Sequence, residues 1–330
     1  MATLKDIAQA CGVSAATVSR ALNGQTESRN TDYIRQVAKE LGYFPNAAAR
    51  TLKTNRSYNI GILYEDRMSH EYFSAVLDAL RVQTERQGYD LTLIRRLFDS
   101  SMGSYYELAR HRNLDGVVVL QTNFYSADVM RLAAGPIPTV VIDHAYEGCD
   151  CVLGDNQGSA ETLVREAWGM GHRRIAMIQG EDSMVTRDRT AGFYKACAGL
   201  GLRVPAEYVR AGHFHDPADC TAQTLALLAL ENAPTCILCP DDYSCLGMLD
   251  ALRERGIAIP RDISLIGYDG IGLGQTLRPR LTTYRQDTER VAQETAALLQ
   301  EAIERPQEHR PRQVTVPGRF VPGDTLGPLP

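Results

Sequence analysis

The chain has 330 residues, 44% of them hydrophobic and 23% charged, the balance of a soluble globular protein of two or three domains. No apolar run approaches the roughly 18 residues that span a bilayer, and no secretory leader precedes Thr3, which predicts a cytoplasmic protein whose eight cysteines stay as thiols. The net charge of −5 is uneven: residues 1–56 carry eight Lys and Arg against four Asp and Glu, so this end is +4 and the rest −9, a distribution suited to a polyanion at one end only.

Residues Leu4 to Asn23, LKDIAQACGVSAATVSRALN, read as two short helices around a tight turn. Thr3 can cap the first, and Ile7, Ala8 and Cys11 give it one apolar face. Gly12 should end it, because glycine tolerates a left-handed terminal residue. Ser14 then caps a second helix in which Val18 and Leu22 point inward, while Ala15, Ala16, Ser19 and Arg20 lie on the polar side. This is the spacing of a helix-turn-helix, whose second helix enters the major groove; an ordinary helical hairpin has the same bare pattern. Asn23 and Gly24 open a polar loop. A third helix is expected from about Asn30 to Leu41, with Ile34, Val37 and Leu41 on one face. Pro45 stops it, and Asn46 can cap a further helix, Ala47 to Lys53. That segment is shorter than the about 12–15 residues an isolated helix needs, so it should fold only when paired on DNA.

TLKDIAQACGVSAATVSRALN together with LGYFPNAAARTLK resembles the DNA-binding headpiece and hinge of the LacI/GalR family of bacterial transcription repressors, and family features recur beyond residue 280. The loop after Asn23 departs from the family's commoner Val/Ser pattern, which leaves the start of the third helix open. Among the outward residues, Ala15, Ala16 and Arg20 are expected at base edges: arginine reads guanine through O6 and N7, and an alanine methyl can meet thymine. Thr3, Ser14, Thr17, Ser19, Asn23 and Tyr43 suit phosphates, although each also reads as a solvated surface residue. The resemblance implies two hinge helices, one per subunit, in the minor groove, with Leu52 as the wedge that kinks the duplex and Ala49 and Lys53 beside it.

From Asn59 the texture changes to alternating strands and helices: NIGILY, a helix from Tyr72 to Gln87, DLTLI, a helix near Tyr105 to Arg112, GVVVL, another helix, then PTVVID. Such alternation implies parallel βαβ units with both sheet faces covered. The pattern restarts at CVLGDNQGSAETLVREAWGMGHRRIAMIQG, continues through CILCP and ISLIGYD, and closes with a helix from Asp287 to Glu304. The expected fold is therefore an all-α headpiece over 1–45, a hinge over 46–57, and an α/β core over 58–330. Similarity to the family implies that this core is periplasmic-binding-protein-like, with two doubly wound parallel-sheet halves. The first half is expected over about 58–154 plus 287–312, the second over about 155–284 plus 313–322.

Ligands in such sheets bind at the carboxyl ends of strands, in the crevice between the halves. Asp143 and His144 end one strand, Asp241 and Asp242 follow another, and Asp269 ends a third. Arg189 opens a helix, Tyr72 and Phe73 start the first core helix, and Phe214 sits in a loop. Carboxylates with an arginine suit vicinal hydroxyls, and aromatic faces suit the C–H face of a sugar. Asp143 and Asp241 read equally as caps of helices or turns. The positions of Arg189, Asp242 and Asp269 are similar to effector contacts across the family, and Tyr72, Phe73 and Phe214 resemble aromatic contacts of its purine-responsive members. Trp168 reads as packing.

No metal or cofactor is expected. Cys236 and Cys239, three apart on a strand, face opposite sides, and no His/Cys pair follows Cys149 and Cys151 at zinc spacing. Gly270, Gly272 and Gly274 fail the dinucleotide fingerprint, since residue 275 is Gln, and no GxSxG, HExxH or P-loop occurs, so no enzyme is expected. The C-terminal VTVPGRFVPGDTLGPLP has no leucine heptad, so no tetramerising coiled coil is expected. The sequence thus predicts a DNA-binding transcriptional regulator, a repressor and homodimer on a roughly palindromic operator, governed by a small molecule, foremost a sugar. A purine- or nucleoside-responsive regulator, or a constitutive one with a degenerate cleft, stays open. A solute-binding transport protein would share the core but lack residues 4–53.

Overall fold

The computed structural model describes residues 2–22, 29–43, 51, 54, 56–65, 71–95 and 103–329. It divides into two units, Met1–Tyr58 and Asn59–Pro330. The first holds helices α1 (Leu4–Cys11), α2 (Ala15–Leu22) and α3 (Arg29–Glu40). Thr3 caps α1 through a reciprocal bond with Asp6, and Gly12 ends it at φ 68°. The Ser14 hydroxyl accepts from Thr17 N–H at 3.1 Å and so starts α2. A small core of Ile7, Ala8, Val18, Ala21, Ile34, Val37 and Ala38 holds the three helices together. Leu41, expected on that core face, is 43% exposed, because α3 stops at Glu40 and the turn carries Leu41 outward. Ala38, at i+4 from Ile34, fills the place instead.

The second unit is two lobes, each built on a six-stranded sheet. The first lobe runs β1 (Asn59–Leu63), α4 (Glu71–Arg86), β2 (Asp90–Ile94), α5 (Tyr105–His111), β3 (Gly116–Val119), α6 (Ala127–Ala133), β4 (Thr139–Ile142) and β5 (Asp150–Gly154). The second runs α7 (Asn156–Gly169), β6 (Ile175–Ile178), α8 (Met184–Gly199), β7 (Val209–Arg210), α9 (Pro217–Leu228), β8 (Cys236–Leu238), α10 (Asp242–Glu254), β9 (Ser264–Asp269), α11 (Gly272–Thr276) and β10 (Thr283–Arg285). The chain then returns through α12 (Thr288–Glu304), β11 (Gln313–Val316) and β12 (Arg319–Val321).

The sheet orders are β11-β5-β4-β3-β1-β2 and β12-β10-β9-β8-β6-β7. Apart from these returning strands, each lobe has the same doubly wound order, whose strand ends form a ligand crevice. Among the described residues every pairing is parallel except β10 with β12. The buried strands are near-continuous runs of Val, Ile and Leu, as sheets covered on both faces require. Cys236 and Cys239 fall in separate cores on the two faces of the second sheet, and all eight cysteines are free.

One boundary differs from expectation. Residues Gln313–Val316, assigned from sequence to the second half, pair with β5 in the first sheet, and the chain crosses only afterwards so that β12 can join β10. A four-residue strand with an exposed start carries no pattern that names its sheet. Trp168, read as packing, is 38% exposed and packs against a cation, the Arg173 guanidinium lying 4.6 Å from its ring centroid.

Candidate functional site

In the N-terminal unit, α2 presents Ala16 and Arg20 to solvent, the positions from which a side chain can reach a base edge. Ala15 differs from its expected place: it is half-buried against the small core, which its position in the first turn, three residues before Val18, dictates. Thr3 and Ser14 are committed as helix caps, and Ser14 also bonds the Thr17 hydroxyl at 2.9 Å. Ser19 is half-buried on α2, and Tyr43 packs its ring on the core as a fixed support for its hydroxyl. Asn23, Ala49, Leu52 and Lys53, with the expected hinge helix, lie outside the described residues.

In the second unit, the strand ends of the two lobes face each other across a cleft. The first lobe contributes Tyr72, whose hydroxyl donates to Asp143 Oδ2 at 3.3 Å. The second contributes Arg189, 8% exposed, whose Nε donates to Asn156 Oδ1 at 2.9 Å and whose Nη1 donates to the Pro240 carbonyl at 3.0 Å. Its guanidinium lies 3.3 Å from the centroid of Tyr268 and 5.7 Å from that of Phe214. Gln286, at the second crossing, donates to Asp269 Oδ1 at 2.8 Å. Asp143 and Asp269 sit at φ 65° and 108°, a region non-glycine residues rarely adopt. Both residues sit at the ends of their strands, where their carboxyls are buried within reach of the Arg189 charge.

The electrostatics follow from that placement. Burial raises the Asp143 carboxyl, and Arg189 across the cleft opposes the rise. Burial pushes Asp269 up to about 7, against the pull of Arg189 and with the help of Asp241 and Asp143. Burial also holds Tyr72 well above its usual value, with the nearby Asp143 adding to the effect. The cleft floor therefore offers hydrogen-bonding carboxyls and one fixed cation, a set suited to a polyhydroxylated ligand.

Two expected contacts, Phe73 and Asp242, are placed differently, while Asp241 takes the capping place that was one of its two readings and His144 stands among aromatic rings. Phe73 is fully buried, its ring 5.3 Å from Tyr64, because one residue along a helix turns the side chain about 100° away from the Tyr72 face. Asp242 is fully buried and serves the backbone: it accepts from Gly270 N–H at 2.8 Å, Ile271 N–H at 2.9 Å and the Thr283 hydroxyl at 2.6 Å. It thereby shapes the turn that carries Asp269. Asp241 caps α10 through Ser244 N–H at 2.7 Å. His144 stacks on Phe124 at 4.8 Å with edge contacts from Tyr125 and Tyr146, and among the described residues no hydrogen bond joins it to Arg189 or Asp269. Burial lowers its basicity, with Arg187 adding to the effect. Sequence reasoning missed Asn156, Tyr268 and Gln286. Of these only Tyr268, next to Asp269 on β9, carried a positional signal.

Among the described residues, contacts tie the lobes together at the cleft's rims. Gly272 N–H, at the start of α11, donates to Glu71 at the start of α4. Arg187 of the second lobe lies 5.9 Å from the ring centroid of Tyr125 of the first. Among the described residues no helix is long and apolar enough to cross a membrane.

Comparison with known proteins accords with both units. The profile described as "Bacterial regulatory proteins, lacI family" matches residues 3–46, and that described as "Periplasmic binding protein-like domain" matches residues 164–326. The HTH-type transcriptional repressor PurR of Vibrio cholerae is 31% identical over 340 aligned positions, covering 100% of this chain and 99% of the relative. Among solved structures, the Lac repressor dimer bound to operator and the anti-inducer ONPF has a TM-score of 0.81 at 23% identity, covering 99% of each chain. A LacI family transcriptional regulator from Enterococcus faecium with bound ribose has a TM-score of 0.71 at 26% identity, covering 82% of this chain and 100% of that one. The chain belongs to the LacI family of bacterial regulatory proteins and is a DNA-binding transcription regulator controlled by a small molecule.

Proposed function

We propose that this regulator is a cytoplasmic homodimeric repressor, without enzymatic activity, that reads a roughly palindromic operator and senses a sugar in its interlobe cleft. The observation that carries the sugar reading is the convergence of Tyr72 and Asp143 from one lobe with Arg189, Asp269 and Gln286 from the other side. Two carboxyls and a guanidinium on one floor match the vicinal hydroxyls of a sugar, and the Phe214 ring beside Arg189 can cover its C–H face. The relative PurR makes a purine the second reading. A flat base is best held between aromatic faces, yet Phe73 is in the core and the face of Tyr268 is occupied by Arg189. That leaves Tyr72 and Phe214, and favours the sugar.

On DNA, Arg20 and Ala16 would meet base edges, with Ala15 in a lesser, partly buried contact. Thr3, Ser14, Thr17, Ser19, Asn23 and Tyr43 would meet phosphates. Leu52, with Ala49 and Lys53, would enter the minor groove. A ligand that contacts both lobes binds their closed arrangement better than their open one, and so shifts the lobes' relative orientation. The operator affinity then changes through the spacing of the two hinge segments, a coupling that is reciprocal between sugar and DNA. Calorimetric titration of the full-length protein against sugars and nucleobases tests the assignment. Binding of a sugar that Arg189→Ala abolishes supports it, and binding of nucleobases alone overturns it.

A further inference from the structure

Arg285 and Arg319 form a cross-strand pair that, among the described residues, has no ion-pair partner, on one wall of an interlobe recess. They are directly opposite in the antiparallel pairing of β10 with β12, so their side chains stand on the same face. Like charges in that position repel, and the sequence nevertheless places two of them there. Neither makes an ion pair with a carboxylate among the described residues, whereas Arg280, Arg290 and Arg312 nearby in sequence each do.

Arg285 is held in place. Its Nε donates to the Gly270 carbonyl at 3.1 Å, and its aliphatic stem lies over Gly270. A Cβ on that glycine would come within 2.3 Å of Arg285 Cβ, and its φ of 73° further disfavours a side chain. The backbone is thus opened to let the arginine lie flat, and among the described residues no hydrogen bond engages its two terminal nitrogens. Both arginines line a recess of about 590 Å³ that also takes in Tyr72 of the first lobe and Asp269, the register partner of Arg285 on β9.

Four carboxyls also line this recess, and the three that accept hydrogen bonds take them from neutral donors rather than from the arginines, so these bonds do not cancel their charge and leave both guanidinium groups without an ion pair among the described residues. Glu71 accepts from Gly272 N–H, Asp269 from Gln286, and Asp287 from Arg290 N–H at the start of α12. Glu289 is exposed, and among the described residues it forms no ion pair with either arginine. A guanidinium pair presents parallel N–H donors matched to an oxyanion.

We propose that Arg285 and Arg319 are an anion subsite and that the effector is a sugar bearing an oxyanion, either a phosphate ester or a carboxylate, its hydroxyls on the cleft floor and its charge on this pair. This rests on the sugar reading above. The test is calorimetric titration of the full-length protein with ribose and ribose 5-phosphate, and with glucose, glucose 6-phosphate and glucuronate. At least one charged sugar should bind about tenfold or more tighter than its neutral parent, and which arm responds distinguishes phosphate from carboxylate. In Arg285→Ala/Arg319→Ala that ratio should fall to about one. Arg319→Ala alone, at an exposed position, should lower it partway, which guards against misfolding of the double variant. Equal binding of neutral and charged sugars, or a ratio that survives in the double variant, overturns the anion subsite while the sugar reading stands. Absence of binding by every sugar overturns both.

Discussion

Replacing Asp269 by Asn should stabilise the ligand-free protein, and only at the higher end of the pH range. The carboxyl is pushed from its ordinary value of 3.8 up to about 7, chiefly by burial. The folded protein therefore keeps a proton on Asp269 that the unfolded chain has given up. The charged form opposes folding, fully above about pH 7 and not at all once the pH falls toward 4. Taken at face value the shift amounts to up to about 4 kcal/mol. The side chain borders an open cleft and water screens it, so about 1–2 kcal/mol is the working figure. Asn keeps the shape, accepts the same Gln286 bond and tolerates the positive φ of this position. At pH 8 the variant should melt about 2–4 °C above wild type, and toward pH 4, near the ordinary carboxyl value, the two should nearly coincide. Thermal melts of both proteins at the two pH values measure this. An equal gain at both, or none at pH 8, would refute the argument that desolvation of this carboxylate is what the cleft maintains against stability.

The adjacent pair Tyr72 and Phe73 should separate cleanly. Phe73→Ala should lose about 3–5 kcal/mol in urea unfolding, as an emptied core site does, whereas Tyr72→Phe should leave stability near wild type and weaken sugar binding in calorimetry. Arg20→Ala should relax discrimination at one base pair per half-site by about 1–3 kcal/mol in competition binding; equal weakening on all sequences would make Arg20 a phosphate contact. Leu52→Ala should reduce operator bending in a circular-permutation gel assay while sparing nonspecific affinity, and an unchanged bend would remove the wedge.

The elements were legible because their signals are periodic or punctuated. Thr3, Gly12 and Ser14 mark helix ends, and runs such as GVVV and TVVI can only be doubly covered strands. Asp143 and Asp269 were legible because strand-end position and charge coincide, and Arg189 because it is a charge on the helix that follows a strand end. The failures share one cause: sequence adjacency was taken for spatial adjacency. Phe73 follows Tyr72 but belongs with Val76 and Leu80, on the face that recurs at i+3 and i+7 and packs inward. Asp242 follows Asp241, yet the first carboxylate caps the helix and the second turns inward to the Gly270–Ile271 backbone. Gln286 and β11 depend on where the chain crosses between lobes, which no local pattern encodes.

The central claim is that a DNA-gripping pair of heads is steered by a metabolite-sensing body. Selection from randomised duplex oligonucleotides by the full-length protein, with and without the sugar panel and with the oligomeric state measured in parallel, tests it most directly. The account predicts a dimer that enriches a two-fold-symmetric sequence, with an enrichment that changes when a sugar is added. A monomer that shows no sequence preference under either condition would contradict it.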